Sequence, residues 1–232
     1  RVNIDELKDN QGGVNDGAPN VTGGYLLEWD FRQSGDHNFQ VGGSGWVAIE
    51  EPENEDDGSG ITQAQIDYIS GYVNQADQAV FGDLPGRNWR EFIDEGSLID
   101  WYLMQELTKN LDSNFYTSVV MYKTRDTAAG PGKLYMGPIW DFDTSMGAAN
   151  YPGNQGTPTG WYLHDEINID AKQTQYGTWI NELFVSDPQF KAAVSARWDQ
   201  VYPTLQQSDS FLAAQKSLIA NSANMNFQKW NV

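Results

Sequence analysis

The chain has 232 residues, of which 39% are hydrophobic and 13% aromatic, a composition typical of a globular protein with a sizeable core. Lysine and arginine number 14 against 32 aspartate and glutamate residues, which gives a net charge of −18. A surface this negative disfavours nucleic acid and anionic lipid as partners and favours cations or cationic polypeptides. The absence of cysteine excludes disulfides, thiolate metal sites and cysteine nucleophiles. No apolar run approaches the roughly 20 residues of a membrane-spanning helix.

The first third of the chain predicts two short strands and one helix. Strand-like runs occupy residues 25–31 and 46–49, each after a glycine-rich stretch. The acidic run over residues 50–57 lacks the alternating ligand spacing of a calcium loop, so we expect a solvated loop there. Apolar residues recur every three or four positions over residues 62–81, which predicts an amphipathic helix.

A second helix and a hairpin are predicted in the middle of the chain. Ser97 and Asp100 have the spacing of a capping box, and Ile99, Leu103 and Leu107 would form one apolar stripe that ends near Lys109. Beyond that helix, residues 118–122 and 133–136 read as two strands around a Gly-Pro-Gly turn.

The last third predicts an irregular segment followed by helices. Residues 147–161 are rich in glycine, proline and asparagine, which favours irregular structure. Helices are expected near residues 178–184, from Asp187-Pro188 through Val201, and from Ser208 through about Ala223. The elements together predict an α+β fold.

The hairpin has a consequence for the acids that flank it. Asp112 precedes its first strand, and Asp141 and Asp143 follow its second strand. Because the two ends of a hairpin lie side by side, we expect these carboxylates to converge. Converging carboxylates repel one another unless a cation or a proton lies between them, and Mg²⁺ prefers one or two carboxylates with water and phosphate oxygens. The order of helix, Asp, hairpin and Asp is also that of kinase-type phosphotransferases.

The candidate residues also have plainer interpretations. Asp112 follows a helix C-terminus, where the helix dipole disfavours an anion, so a surface-loop aspartate remains open. Ser118 offers a hydroxyl to the same metal but is also an ordinary strand residue. Trp140, Trp161 and Trp179 are candidates to line a groove for adenine or a sugar, although aromatic residues are more often core. His37 and His164, the two histidines, are too far apart in sequence for a convincing zinc site.

Several motifs resemble the CotH kinase family, the spore-coat-protein-H-like atypical protein kinases. The resemblance runs from Arg1 almost to Val232, and the Trp-Asp-Phe-Asp cluster is its most specific part. The motifs that carry it are residues 22–28 (TGGYLLE), 88–94 (NWREFID), 97–103 (SLIDWYL), 106–112 (ELTKNLD), 118–123 (SVVMYK), 132–147 (GKLYMGPIWDFDTSMG) and 226–230 (NFQKW).

The resemblance implies an atypical protein-kinase-like fold, here mainly the helical C-terminal lobe with a few short strands. The implied activity is transfer of the ATP γ-phosphate to Ser or Thr of a secreted or surface protein. Asp112 would act as the catalytic base or help to hold metal, Asp141 would bind Mg²⁺, and Asp143 is an adjacent candidate ligand. Trp140 and Ser118 are the candidate cofactor-binding residues. We expect residues 1–232 to form one CotH-like domain without the usual upstream N-terminal lobe.

Two further expectations concern partners and rival functions. The acidic composition suggests a Lys/Arg-rich protein acceptor, and the resemblance suggests a bacterial extracellular location. A non-catalytic pseudokinase, or an extracellular binding module that holds a structural Ca²⁺ or Mg²⁺, is the main alternative. A glycosidase with a carboxylate pair is a weaker one, because adjacent acids at 141 and 143 suit a metal better than two faces of a sugar.

Overall fold

A computed structural model describes residues 17–42, 45–52, 60–113, 115–147, 159–163 and 179–230. The chain divides into two compact units, residues 1–191 and 192–232. The first unit contains a sheet with its packed helices, and the second contains the rest of the C-terminal helices. The predicted α+β class is therefore confirmed.

The sheet has five antiparallel strands in the order β2-β3-β1-β4-β5. Their bounds are β1 Tyr25–Trp29, β2 His37–Val41, β3 Gly45–Glu51, β4 Val119–Lys123 and β5 Leu134–Met136. The hairpin predicted around the Gly-Pro-Gly turn is β4 and β5. It is joined to the first three strands because β1 lies between β3 and β4 and pairs with both.

Helix α1, Gln63–Val80, confirms the amphipathic pattern. Thr62 caps it, accepting a hydrogen bond from the Gln65 amide, while the Gln65 side chain bonds back to the Thr62 amide. The buried positions Ile69 and Val73 belong to the apolar face that the spacing predicted. The cap satisfies amides of the first turn, and the buried face provides the packing surface of the helix.

Helix α2, Glu95–Thr108, corrects two details of the prediction. Its N-cap is Asp94, whose carboxylate accepts from the Ser97 amide, so Ser97 lies inside the first turn and does not cap the helix. The predicted stripe is also wrong at its end, because Leu107 is 48% exposed. The buried face consists of Leu98, Ile99, Trp101, Tyr102, Gln105 and Glu106.

An aromatic cluster fills the interior of the first unit. Phe115 packs against Trp29, Trp101 and Trp179, with ring centroids 5.3 to 5.5 Å apart. Trp179 is only 1% exposed, which contradicts the idea that it lines a groove. Because Phe115 follows Asp112 by three residues, this packing fixes the chain between α2 and β4.

The C-terminal helices are α3 Trp179–Ser186, α4 Pro188–Leu205 and α5 Ser208–Trp230. All three predicted helices are present, and each extends beyond its predicted end. Asp187 caps α4, since its carboxylate accepts from the amides of Gln189 and Phe190. Within the described ranges, no helix combines the length and the apolarity that crossing a bilayer requires.

Candidate functional site

Three carboxylates converge at one end of the β4–β5 hairpin. Asp112, Asp141 and Asp143 each place one oxygen within 4.8 Å of the others. The convergence expected from the hairpin is thus present. Among the described residues, no lysine or arginine forms an ion pair with any of the three.

Asp112 is positioned by the abrupt end of α2. Lys109 adopts a left-handed conformation, with φ 48° and ψ 51°, and its amide donates back to the carbonyls of Gln105 and Glu106. The chain then makes a short 3₁₀ turn, Leu111–Ser113, which carries Asp112. A left-handed residue at the end of a helix reverses the direction of the chain. Asp112 is therefore turned back toward the hairpin instead of continuing along the helix axis.

Asp141 and Asp143 lie on a loop that is held at both ends. At its start, the Gly137 amide donates to the Val120 carbonyl at 2.8 Å, and at its end the Met146 amide donates to the Thr108 carbonyl at 2.6 Å. Between them Asp141 has a φ of +53°, a conformation that is uncommon outside glycine but more accessible to aspartate. The loop is thus tied to β4 and to the last turn of α2, which brings its acids to Asp112.

Unusual backbone conformation is concentrated around these acids. Of the described non-glycine residues between positions 109 and 146, five have positive φ, namely Lys109, Phe115, Ser118, Asp141 and Met146. Left-handed residues cost free energy and persist only where the surrounding structure enforces them. Their grouping around the three carboxylates marks the region as a candidate functional site.

The carboxylates disturb one another electrostatically. The pKa of Asp143 is raised, first by a hydrogen bond with the Asp141 carboxyl and then by the charges of Asp141 and Asp112. Such a hydrogen bond requires a proton between two groups that both prefer to be ionised. A divalent cation would replace that proton and neutralise the repulsion.

The donor set fits Mg²⁺. Asp141 and Asp143 are exposed and Asp112 is half-buried, so coordination positions remain open to water or phosphate oxygens. Asp141 and Asp143 can supply the one or two carboxylates that Mg²⁺ prefers, with water and phosphate oxygens in the remaining positions. Ca²⁺, which takes six to eight oxygens, would need more ligands from solvent.

The hydroxyl of Thr144, which was not identified from the sequence, also belongs to the site. Thr144 donates a hydrogen bond to one oxygen of Asp112 at 3.1 Å. A hydrogen bond to one carboxylate oxygen fixes the direction of the other oxygen. That second oxygen is the one left to accept a proton from a substrate hydroxyl. The residue lies beyond Asp143 in the Trp-Asp-Phe-Asp loop, so its relation to Asp112 depends on tertiary structure.

The two predicted cofactor-binding residues differ in their surroundings. Trp140 precedes Asp141 and is 61% exposed, so its ring is accessible beside the acids. Ser118 is buried, and its amide donates to the Glu28 carboxylate at 3.0 Å across the β1–β4 pair. Burial raises the pKa of Glu28, and this hydrogen bond partly opposes the shift. Ser118 therefore has a structural partner, and its role toward a cofactor stays a prediction.

The segment 159–163 lies against the same end of α2. The Glu106 carboxylate accepts from the amides of Tyr162 and Leu163, and Lys109 donates to the Thr159 carbonyl. Burial raises the pKa of the Tyr162 hydroxyl, and the nearby charges of Asp112 and Glu106 raise it further. Trp161 is 53% exposed on this segment. Sequence reasoning paired Trp161 with a groove but did not detect the contact with α2.

Two polar residues follow residues of the site closely in the sequence. Asn114 follows Asp112 by two positions and was not singled out from the sequence, and His164 follows Leu163. Both lie outside the described residues.

Comparison with known proteins identifies the family of the chain. No curated protein and no solved structure matches the chain. The family model described as CotH kinase protein matches residues 1–232. The match covers the whole sequence, including the α2 terminus, the hairpin and the loop that carries Asp141 and Asp143. The chain therefore belongs to the CotH kinase family.

Proposed function

We propose that this protein transfers the γ-phosphoryl group of ATP to a Ser or Thr hydroxyl of another protein and requires Mg²⁺ to do so. The observation that carries the proposal is the cluster of Asp112, Asp141 and Asp143, which has no cationic partner among the described residues. Membership of the CotH kinase family supports the same reaction class. Family membership also favours a kinase-like lobe for the α+β fold described above.

The carboxylates have distinct proposed roles. Mg²⁺, when bound, would neutralise charge on the phosphate oxygens and hold them in line with the acceptor. Asp141 and Asp143 would hold that ion. Asp112 would accept the proton of the acceptor hydroxyl with the oxygen that Thr144 leaves free. The acceptor oxygen forms a bond to the γ-phosphorus, the bond to the β–γ bridging oxygen breaks, and ADP leaves.

The same proposal extends to nucleotide and acceptor. The exposed ring of Trp140 beside Asp141 offers a flat apolar surface to the adenine base. The net charge of −18 favours an acceptor protein rich in lysine and arginine, because opposite charges accelerate encounter. A secreted or cell-surface location, as in a bacterial extracellular protein, belongs to this proposal as well.

Asp141→Asn tests the proposal with little change of shape. We expect this variant to bind Mg²⁺ more weakly and to transfer phosphate at least about 100-fold more slowly, since an electrostatic contact to the reacting group is lost. Transfer is measured with radiolabelled ATP and a basic Ser-containing peptide, and metal binding by calorimetry. The matched control is Asp83→Asn, an exposed aspartate in the turn after α1 that lies outside the cluster.

The outcomes separate the kinase from its main rival. Unchanged transfer by Asp141→Asn would reject the assignment of the site. Tight Ca²⁺ binding by the wild-type chain, without nucleotide binding or transfer, would instead favour a module that uses the cluster for a structural cation.

A further inference from the structure

Asn110 lies between the two parts of the chain that supply the acids. It follows the left-handed Lys109 at the end of α2, and its side chain is fully buried at 0% exposure. Its backbone amide donates to the Gln105 carbonyl at 3.2 Å, which fixes the backbone of Asn110 to the helix. A buried primary amide must find partners for both its NH₂ group and its carbonyl oxygen. Among the described residues, the partners of the Asn110 side chain all lie in the two segments that carry the acids.

The NH₂ group of Asn110 contacts the metal loop, residues 137–146, which carries Asp141 and Asp143. It donates to the carbonyl oxygen of Asp141 at 3.0 Å. This is the residue with a φ of +53°, so the bond supports the backbone at the one acid whose conformation is strained. Without the bond, the Asp141 carbonyl would lose a partner and the loop could relax toward an ordinary conformation.

The carbonyl oxygen of Asn110 contacts the other acid. It accepts from the Asp112 amide at 3.4 Å and from the Thr144 hydroxyl at 3.3 Å. Thr144 also donates to Asp112, so its single proton alternates between the two acceptors. One side chain therefore contacts the backbone of both Asp112 and Asp141, together with the hydroxyl that orients Asp112.

We propose that Asn110 is a positioning residue that sets the separation between Asp112 and the Asp141/Asp143 pair and thereby the affinity of the site for a divalent cation. This inference rests on the proposed function. Asn110 is not a ligand, because its oxygen is turned to Asp112 and Thr144 and its nitrogen to Asp141. Groups that orient metal ligands commonly contribute 10- to 100-fold to metal affinity.

The side chain must both donate and accept over a short reach. Alanine lacks both functions, and aspartate keeps the acceptor but loses the donor to Asp141. Aspartate would also add a fourth negative charge that attracts cations, which confuses the interpretation of its effect. Asn110→Ala is therefore the informative variant.

The experiment measures binding of Mn²⁺ alone to the full chain by electron paramagnetic resonance, together with thermal unfolding. We expect Asn110→Ala to bind Mn²⁺ at least about tenfold more weakly while it remains folded. The matched control is Asn74→Ala in α1, which removes a side-chain amide that donates to backbone carbonyls outside the cluster, those of Gln40 and Ser70. The control should keep the wild-type affinity.

Thr144→Val keeps the test decisive if Asn110→Ala fails to fold. Thr144 is half-buried, and valine preserves its shape without the hydroxyl that links Asn110 to Asp112. We expect a loss of Mn²⁺ affinity of about threefold or more, with unchanged thermal unfolding.

A kinetic measurement separates positioning from general structural support. If Asn110 acts through the metal, the Mg²⁺ concentration that gives half-maximal transfer rises in a folded variant more than the rate at saturating Mg²⁺ falls. Wild-type Mn²⁺ affinity in folded Asn110→Ala, or in Thr144→Val where the former does not fold, would overturn the inference. Metal affinity that falls as expected in a chain that transfers no phosphate would overturn the proposed function alone. Absence of Mn²⁺ binding by the wild-type chain would overturn both.

Discussion

Two groups of carboxylates in the first unit differ in whether a described cationic side chain pairs with them. In one, the Arg90 guanidinium bonds both Glu95, at the start of α2, and Asp187, the N-cap of α4. In the other, Asp112, Asp141 and Asp143 converge without any ion pair to a described lysine or arginine. The first arrangement supplies a cation from the chain itself, and the second leaves the charge to be balanced from outside.

One carboxyl from each group, Asp187 and Asp143, has its pKa shifted, and the two shifts have opposite directions. Burial alone would raise the pKa of Asp187, but hydrogen bonds from Arg90 and Trp89 outweigh it and lower the pKa to about 2. The hydrogen bond with Asp141 and the neighbouring charges raise the pKa of Asp143. The same side chain thus serves as an anchor where a cation is built in, and as a candidate ligand where none is.

The largest effect is expected when the cluster of Asp112, Asp141 and Asp143 loses the charge of Asp112. Asp112→Asn keeps the shape and removes the proposed proton acceptor, so single-turnover transfer should fall by about 1000-fold. Rapid-quench measurement with radiolabelled ATP checks the rate, and Asp83→Asn serves again as the control. A rate within threefold of wild type would show that the cluster does not act on the acceptor hydroxyl in this way.

A smaller effect is expected when the group of carboxylates bonded to Arg90 loses Asp187. Asp187→Ala removes the α4 cap and the hydrogen bonds from Arg90 and Trp89, so the free energy of unfolding should fall by about 2 kcal/mol. Urea denaturation measures this change. Asp209→Ala, an acid in the first turn of α5 without these contacts, should stay within about 0.5 kcal/mol of wild type.

The pH dependence identifies the charge as the cause of that loss. The folded pKa of Asp187 lies below its ordinary value of 3.8. At pH values between these two pKa values, the unfolded chain therefore binds more protons than the folded chain. The stabilisation is fully present above pH 3.8 and is lost as the pH falls toward about 2. The difference between wild type and Asp187→Ala should therefore shrink over this interval. A constant difference would assign the effect to the uncharged contacts.

The smallest effect is expected from Asp143→Asn, and it has the opposite sign. Because this change relieves repulsion from Asp141 and Asp112, the melting temperature of the metal-free chain should rise slightly. The increase in melting temperature that Mg²⁺ gives to wild type should become smaller in the variant. Differential scanning fluorimetry with and without Mg²⁺ measures both. A lower melting temperature in the absence of metal would show that Asp143 is a structural residue.

Much of the fold could be predicted because the spacing of residues is local. The apolar period of α1 identified that helix, and the turn between β4 and β5 identified the hairpin. The hairpin in turn predicted that Asp112 lies near Asp141. Strand β2 was missed because only Val41 of its five residues is buried, so no alternating pattern marks it. The N-cap of α2 was misplaced because Asp94 and Ser97 are both good caps, and only the backbone direction selects between them.

The supporting residues of the site could not be predicted from the sequence. Asn110 looked like an ordinary residue at a helix terminus, and its hydrogen bond to Asp141 spans the whole hairpin. Thr144 gains its relation to Asp112 only when the loop after β5 returns to α2. Local patterns carry no information about such contacts, whereas two acids directly after an apolar strand are visible in the sequence itself.

The attachment of the metal loop at both ends bears on how fast an ion could be captured. With Gly137 bonded to β4 and Met146 bonded to α2, the two carboxylates between them have little freedom to separate. A loop held in this way limits the rearrangement that cation binding requires. We therefore expect the rate of Mg²⁺ association to be governed by the release of water from the ion, which is slow for Mg²⁺.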